Sequence, residues 1–164
     1  MWRLDVVGDL NGNSGYSDQL IKSAESSGFS SHITWHGRWP DAALARQFTN
    51  SHVLVVPSSY EGFGIAYLEG LRYGLPAIGT TSGAAHEIIT SGQNGFLIAP
   101  DDAVSLARHI ETVHKDRHLL AQMSSAALVS SQNHPTWETS MHSVREFLLQ
   151  FVQPGDKKAA KVRR

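Results

Sequence analysis

The stretch PSSYEGFGIAYLEGL, residues 57–71, holds two carboxylates eight positions apart, and two glycines follow the first of them. The apolar run Val53–Val56 precedes it, and its second half carries apolar residues at helical spacing, ended by Gly74 and Pro76. This order predicts a strand, a glycine-rich turn and a helix over Ile65–Leu71. The first N–H groups of a helix lack partners within it and its dipole favours negative charge, so this turn is a candidate anion site. The stretch therefore predicts a site for a phosphorylated, hydroxyl-rich ligand.

The residue types in this turn suit phosphate and hydroxyl groups. Gly62 and Gly64 permit positive φ and a close approach of the backbone. Three free backbone N–H groups are the predicted donors to a phosphate or a sugar hydroxyl, those of Phe63, Gly64 and Ile65. A carboxylate only accepts hydrogen bonds, so Glu61 and Glu69 suit the hydroxyls of a sugar and a ribose. Taken alone, two glutamates at this spacing also arise by chance, and Glu69 could equally be a solvated helix residue.

The composition argues against several classes of function. The chain has 164 residues, 41% of them hydrophobic, which suits one globular domain that buries about 70% of its unfolded surface. Its formal net charge of −1 gives no general argument for a nucleic-acid partner. The absence of cysteine excludes disulfides and thiolate metal sites and agrees with a cytoplasmic location, which we expect. We also find no apolar run near the ~18 residues of a membrane span. The first five residues begin no long apolar region, so we expect them not to form a signal peptide.

Short apolar runs alternate with helical patterns along the chain. The predicted strands are Leu4–Val7, Ile33–His36, Val53–Val56, Ala77–Thr80 and Gly95–Ile98. Besides Ile65–Leu71, the predicted helices include one that stops at Gly28, one from Pro40, Ala84–Thr90, one from Asp101, Leu119–Val129 and Trp137–Phe151. This alternation predicts an α/β fold with a parallel sheet covered by helices on both faces, and ligands at the carboxyl ends of its strands.

The domain is expected to cover residues 1–153, and the basic residues 154–164 are expected to form a disordered, solvated tail. The last helix carries apolar residues that look like core packing, namely Trp137, Met141, Val144, Phe147, Leu148 and Phe151. The basic tail could also touch an anionic membrane surface, which leaves a peripheral membrane location open.

Nine histidines raise the question of a metal site. His32 and His36 are four residues apart, but they flank a strand, where this spacing does not converge as it does on a helix. The others lie mainly on or between amphipathic helices, so we expect surface histidines and no metal. His86, by contrast, follows the fourth strand and could touch a ligand at the rim of the pocket.

The order and spacing of these segments resemble the retaining glycosyltransferases of the GT-B fold, the large family-four group. Residues 61–69 match its E-x₇-E signature. Four other segments match in order along the chain: LDVVGD from Leu4, ITWHGR from Ile33, GAAHEII from Gly83 and NGFLIAPD from Asn94. The resemblance runs from Leu4 to Phe151, with Ala84 where a second glycine is usual.

The resemblance implies a Rossmann-like domain that binds a nucleotide sugar, the C-terminal half of a GT-B fold. It implies that Glu61 faces the donor sugar and is catalytic, that Glu69 binds the ribose, and that Arg38 and Trp39 contact the base, with Gly8 also in the donor site. The remaining implied donor contacts are backbone groups of Gly62, Phe63, Gly64 and Ile65. The implied reaction is retaining transfer to a glycan, lipid or polysaccharide, with no metal or other cofactor required.

Two parts of the family pattern have no match here. One is the acceptor-binding domain, which we expect on a longer or a second chain unless this chain is a degenerate remnant. In the two-domain members of the family the last helix crosses back to that domain, so part of its apolar face could be uncovered here. The other is the first strand of the donor domain, whose loop carries an Arg and a Lys that clamp the diphosphate. The family places that strand between those matched by Leu4–Val7 and Val53–Val56, so the sheet should either lack a middle strand or close around the gap. We therefore expect the chain alone to bind a nucleotide sugar weakly and to transfer nothing.

Two other functions stay open. The chain could be a non-catalytic nucleotide-sugar-binding or assembly module that works with a partner chain. It could also resemble a nucleotide-sugar epimerase of the same architecture, although the E-G-F-G…E spacing disfavours this.

Overall fold

The computed structural model describes residues 2–12 and 14–151, so the predicted tail over residues 154–164 lies outside the described residues. The strands are β1 (Leu4–Val7), β2 (Ile33–Gly37), β3 (Leu54–Val56), β4 (Ala77–Thr80) and β5 (Gly95–Ile98). The helices are α1 (Ser14–Ser26), α2 (Asp41–Thr49), α3 (Ile65–Arg72), α4 (Ala85–Ile88), α5 (Ala103–Lys115), α6 (Arg117–Asn133) and α7 (Trp137–Leu149). A 3₁₀ turn over Ser30–His32 precedes β2. This order confirms the predicted α/β class.

Several helix bounds differ from the prediction by one to four residues, and two of these differences have a clear local cause. Helix α4 stops before the predicted Thr90, because Ile89 is extended (φ −97°, ψ 115°) and the side-chain oxygen of Asn94 accepts a 2.8 Å hydrogen bond from the N–H of Thr90. Helix α6 begins earlier than the predicted Leu119. The carboxylate of Asp116 accepts a 2.8 Å hydrogen bond from the N–H of Leu119 and caps the helix, which allows the first turn to form at Arg117.

The described strands form two parallel sheets rather than one. Strand β1 pairs with β2, and β4 lies between β3 and β5. Strands β1 and β3 each have an edge that pairs with no other described strand. Of the two expected outcomes, the described part of the sheet therefore has a break and does not close around the gap.

The buried core lies between Phe48 and Ala127 and includes no residue of β1 or β2. Strand β4 is buried along its whole length, as expected for a strand with neighbours on both edges and helices on both faces. Around it, α3, α4 and α6 supply the main apolar cluster, whose members are Tyr67, Leu71, Ala77, Ala85, Ile88, Ile89 and Ala127. The sheet of β3, β4 and β5 therefore carries the buried core, whereas β1 and β2 are only partly covered.

Helix α7 differs most from its prediction. It has no buried residue, and its apolar side chains are exposed, from 41% for Met141 to 78% for Trp137. The expected packing of this helix into the core is therefore wrong for the described chain. No helix among residues 2–12 and 14–151 is both long and apolar enough to cross a bilayer.

Candidate functional site

The turn that carries Glu61 lies between β3 and α3 and is fixed to the loop after β4. The N–H of Glu61 donates to the carbonyl of Ser82 (3.2 Å), and the N–H of Ala84 donates to the carbonyl of Glu61 (2.8 Å). Gly83 lies between these two bonds with φ +85°, and a Cβ there would stand 2.0 Å from the carbonyl oxygen of Glu61. Only glycine permits this approach, so the two loops at the carboxyl edge of the sheet act as one unit.

The Glu61 carboxylate is folded back onto its own turn. Its Oε1 atom accepts hydrogen bonds from the N–H of Gly64 (2.8 Å) and the N–H of Phe63 (3.3 Å). The expectation that these two N–H groups are free is therefore wrong for this structure. Gly64 is the N-cap residue of α3 and Phe63 precedes it, so the carboxylate closes the turn in front of the helix. Binding of an external anion at this turn stays a prediction.

Of the two glycines in this turn, one has the predicted backbone conformation. Gly64 has φ +88° and immediately precedes α3, and a Cβ there would lie 2.6 Å from Cδ1 of Ile88. Gly62 is exposed, lies outside the left-handed region and has open space at its Cβ position. The side chains of Phe63 and Ile65 are 61% and 60% exposed. The turn therefore presents apolar side chains and backbone to solvent above a closely packed Gly64.

Tyr67 positions this turn and was missed by the sequence analysis. Its side chain is fully buried, and its hydroxyl donates a 2.9 Å hydrogen bond to the carbonyl of Val56 at the end of β3. Burial of the phenol, together with the negative charge of Glu61, raises the pKa of Tyr67. The sequence signal was the i, i+4 pair Tyr67 and Leu71, which forms the buried face of α3; Ile65, assigned to the apolar face, is exposed instead.

Glu69 lies on the exposed side of α3, at a cleft of about 440 Å³ between α2 and α3. Phe48 and Tyr73 line the cleft with a ring–ring contact (centroids 5.5 Å apart), and Asp41 and Arg72 also contribute to it. An accessible carboxylate at an open cleft beside aromatic rings is compatible with its predicted contact to a ribose.

The other predicted residues gather at the carboxyl ends of β1 and β2. The N–H of Gly8 donates to the carbonyl of Gly37 (2.9 Å), which brings the two strand ends together. Beyond them, Arg38 forms a 3.0 Å ion pair with Asp9, and the Trp39 ring contacts His36. The structure therefore divides the predicted residues into two groups: Gly8, Arg38 and Trp39 on one sheet, and the Glu61–Glu69 stretch on the other.

His86 lies on α4 beside the joined loops. Its Nδ1–H donates a 2.8 Å hydrogen bond to the carbonyl of Gly83, directly next to the Glu61 bridge, while the residue stays exposed. Its contact with a ligand at a pocket rim stays a prediction. Within residues 2–12 and 14–151, no three or more His, Asp or Glu side chains form a group that could hold a metal ion.

Comparison with protein-family models identifies the chain. The model described as glycosyl transferases group 1 matches residues 1–129. The chain belongs to this family. The putative glycosyltransferase EpsD of Bacillus subtilis is 36% identical over 100 residues, 61% of this chain and 26% of that protein. The D-inositol 3-phosphate glycosyltransferase of Pseudarthrobacter chlorophenolicus is 30% identical over 134 residues, 80% of this chain and 31% of that protein.

Solved structures share the fold of this chain. Anabaena HepE, in a crystal structure with UDP-glucose, superposes with a TM-score of 0.80 at 25% identity over 90% of this chain and 41% of HepE. This is the GT-B architecture that the sequence predicted. The chain spans less than half the length of these relatives, and about a quarter to a third of the two curated enzymes.

Proposed function

We propose that the chain is the donor-binding part of a retaining glycosyltransferase and that it binds a nucleotide-diphosphate hexose. The observation that carries the proposal is the pair of carboxylates on one turn-and-helix unit. Glu61 closes the turn in front of α3, and Glu69 lies on the exposed side of α3 at the cleft beside α2. The structurally similar Anabaena HepE is crystallised in complex with UDP-glucose, which supports this ligand class.

In this proposal each group of residues holds one part of the donor. Glu61 accepts a hydrogen bond from a sugar hydroxyl and assists transfer, and the backbone of residues 62–65 faces the sugar and the diphosphate. Glu69 accepts from the ribose hydroxyls, and Gly8, Arg38 and Trp39 surround the base. In the structure Glu61 accepts the hydrogen bonds of the Phe63 and Gly64 N–H groups. In this proposal an oxygen of the donor replaces the Glu61 carboxylate as their acceptor when the ligand binds. No metal is assigned to this reaction.

The acceptor side is assigned to an acceptor-binding domain on the same longer chain or on a second chain. Two features of the described chain favour a partner: α7 exposes its whole apolar face, and β1 and β2 add no residue to the buried core. The same features would suit the alternative, a non-catalytic nucleotide-sugar-binding module that works with a partner. A cytoplasmic location, and contact of the basic tail with an anionic membrane, remain proposals from the sequence.

The proposal is tested by titrating the ¹⁵N-labelled chain with UDP-glucose, UDP and GDP and following its amide signals. We expect saturable shifts in the turn at residues 61–65 and around Trp39 with at least one of them. Inorganic phosphate at equal concentration is the control, and shifts identical to those caused by phosphate would contradict a nucleotide-sugar site.

A second measurement distinguishes the donor-binding part of an enzyme from a non-catalytic binding module. The chain alone is expected to release no sugar from UDP-glucose or GDP-mannose, and the chain supplied with its acceptor-binding domain is expected to transfer sugar. Turnover by the chain alone would contradict its dependence on that domain. Absence of turnover in the complete assembly would favour the non-catalytic module.

A further inference from the structure

We propose that His36 is a positioning residue that holds the indole of Trp39 as a platform for the nucleobase. The inference rests on the proposed function, because it concerns how the base end of that donor site is built. It starts from a ring–ring contact: the imidazole of His36 and the indole of Trp39 have centroids 4.2 Å apart at 44°.

His36 is itself held from two directions. It lies on β2, and its Nε2 atom is 2.8 Å from Oδ1 of Asp5 on the neighbouring strand β1. The other oxygen of Asp5 accepts 2.9 Å hydrogen bonds from Gln47 on α2 and from Arg3. The imidazole is thus connected to both strands of the sheet and to the helix that follows Trp39.

The charge of Asp5 strengthens this connection. Burial acts against ionisation of its carboxyl group, but hydrogen bonds from His36 and Arg3 and their positive charge hold the pKa of Asp5 below its ordinary value. Asp5 is therefore a carboxylate near neutral pH, and its hydrogen bonds are charge-assisted. The side chains of Asp5 and His36 are only 15% and 21% exposed, so solvent competes weakly for these bonds.

Trp39 lies in the connection between the left-handed Gly37 (φ +69°) and Pro40, the residue before α2. This connection belongs to no helix or strand, so packing of the half-buried side chain restricts the ring, and the contact with His36 is part of that packing. A partly exposed indole held in one orientation can stack on a base without first losing side-chain freedom, which favours binding.

The sheet contains a matched control. At its opposite, amino end, His32 stacks on Trp2 with centroids 4.6 Å apart at 22°, and its Nδ1–H donates to the carbonyl of Trp2 (3.1 Å). Both pairs place an imidazole against an indole, and they flank the β1–β2 pair at its two ends. Only the Trp39 pair lies at the carboxyl ends, beside Gly8 and Arg38, where the base is assigned.

The experiment follows the indole N–H signals of the ¹⁵N-labelled full chain during titration with UDP. His36→Ala is expected to shift the Trp39 signal before ligand is added and to raise the dissociation constant of UDP about threefold to tenfold, the range for losing one aromatic pair. His36→Phe keeps a ring against Trp39 but loses the hydrogen bond to Asp5, so its dissociation constant for UDP is expected to lie between those of the original chain and His36→Ala. His36→Gln keeps a donor for Asp5 without a ring and should behave like His36→Ala.

Two comparisons separate positioning from a general loss of structure. His32→Ala is expected to shift the Trp2 signal and leave the UDP affinity unchanged. In a Trp39→Ala background, His36→Ala is expected to have no further effect on UDP, because its effect acts through the indole. An equal loss of affinity in both backgrounds, or an unchanged Trp39 signal in His36→Ala, overturns the inference.

The failure of the proposed function is recognised separately. If the unaltered chain binds neither UDP, GDP nor UDP-glucose, the proposed function is overturned and this inference falls with it. If the chain binds UDP and only the His36 variants prove neutral, this inference alone is overturned.

Discussion

The carboxylate of Glu61 accepts a 2.8 Å hydrogen bond from the backbone N–H of Gly64, three residues further along the same turn. The residue proposed to face the donor sugar therefore also closes the turn in front of α3 in the absence of ligand. The two roles use the same carboxylate group. They can be separated by measuring stability without ligand and binding with ligand.

Replacing Glu61 should destabilise the chain even without a ligand. Glu61→Ala leaves the N–H groups of Phe63 and Gly64 without this acceptor, and we expect the free energy of unfolding to fall by about 1–2 kcal/mol. Glu61→Gln keeps a side-chain oxygen but loses the charge, and it should cost less than half of that. Urea unfolding measures both, with Glu138→Gln on exposed α7 as the control. An unchanged stability for Glu61→Ala would show that the bond contributes nothing.

The raised pKa of Tyr67 predicts a loss of stability at alkaline pH. Above about pH 10 a tyrosine in the unfolded chain loses its proton, whereas buried Tyr67 keeps it, so the unfolded state is favoured as pH rises. The free energy of unfolding should therefore fall from about pH 9 to about pH 11, and it should fall less steeply in Tyr67→Phe. Tyr60→Phe is the control, since Tyr60 is 73% exposed. Parallel pH curves for the original chain and Tyr67→Phe would contradict the assignment.

Two glycines allow the cost of the close contact between the joined loops to be separated from the cost of backbone strain. Gly83 and Gly92 have nearly the same φ, +85° and +83°, but a Cβ would stand 2.0 Å from the Glu61 carbonyl at Gly83 and meet nothing within 4 Å at Gly92. Gly92→Ala should cost about 1 kcal/mol from backbone strain alone. Gly83→Ala should cost about 3 kcal/mol or more, because it adds the clash, and it should also weaken UDP-glucose binding. Equal costs in thermal unfolding would contradict the close approach.

Glu69 should affect affinity without affecting stability. Its side chain is exposed at the cleft, so Glu69→Gln should leave the unfolding curve unchanged. If Glu69 accepts from the ribose, the same change should weaken UDP about tenfold, since hydrogen bonds to a charged group are strong. It should weaken 2′-deoxy-UDP much less, because one of the two donors is already missing. Equal losses for both nucleotides, measured by calorimetry, would place the contact elsewhere.

Local patterns predicted the strands and helices well, because each of them is determined mainly by residues that are adjacent in the sequence. The apolar runs located all five described strands within one residue, and the turn before α3 was expected from its glycines. Fold and family followed from the E-x₇-E stretch and the segments around it, which the family match confirms.

Relationships between distant segments were harder to predict. The break between the two sheets depends on pairing between strands, which no single stretch encodes. The inward direction of Tyr67 depends on what α3 packs against, and the apolar spacing of α7 predicts a buried face without saying what covers it. The return of Glu61 onto Gly64 was local but missed, because the glycines had been assigned to a ligand.

The uneven distribution of the core has a consequence for how this chain would respond to its ligand. Gly8, Arg38 and Trp39 lie with the sheet that contributes no buried residue, whereas Glu61 and Glu69 belong to the packed half. Hydrogen exchange should therefore be faster in β1 and β2 than in β4. A nucleotide that contacts both halves would slow hydrogen exchange mainly in β1 and β2. The ligand would then act as a structural brace, and part of its binding energy would be used to complete the fold.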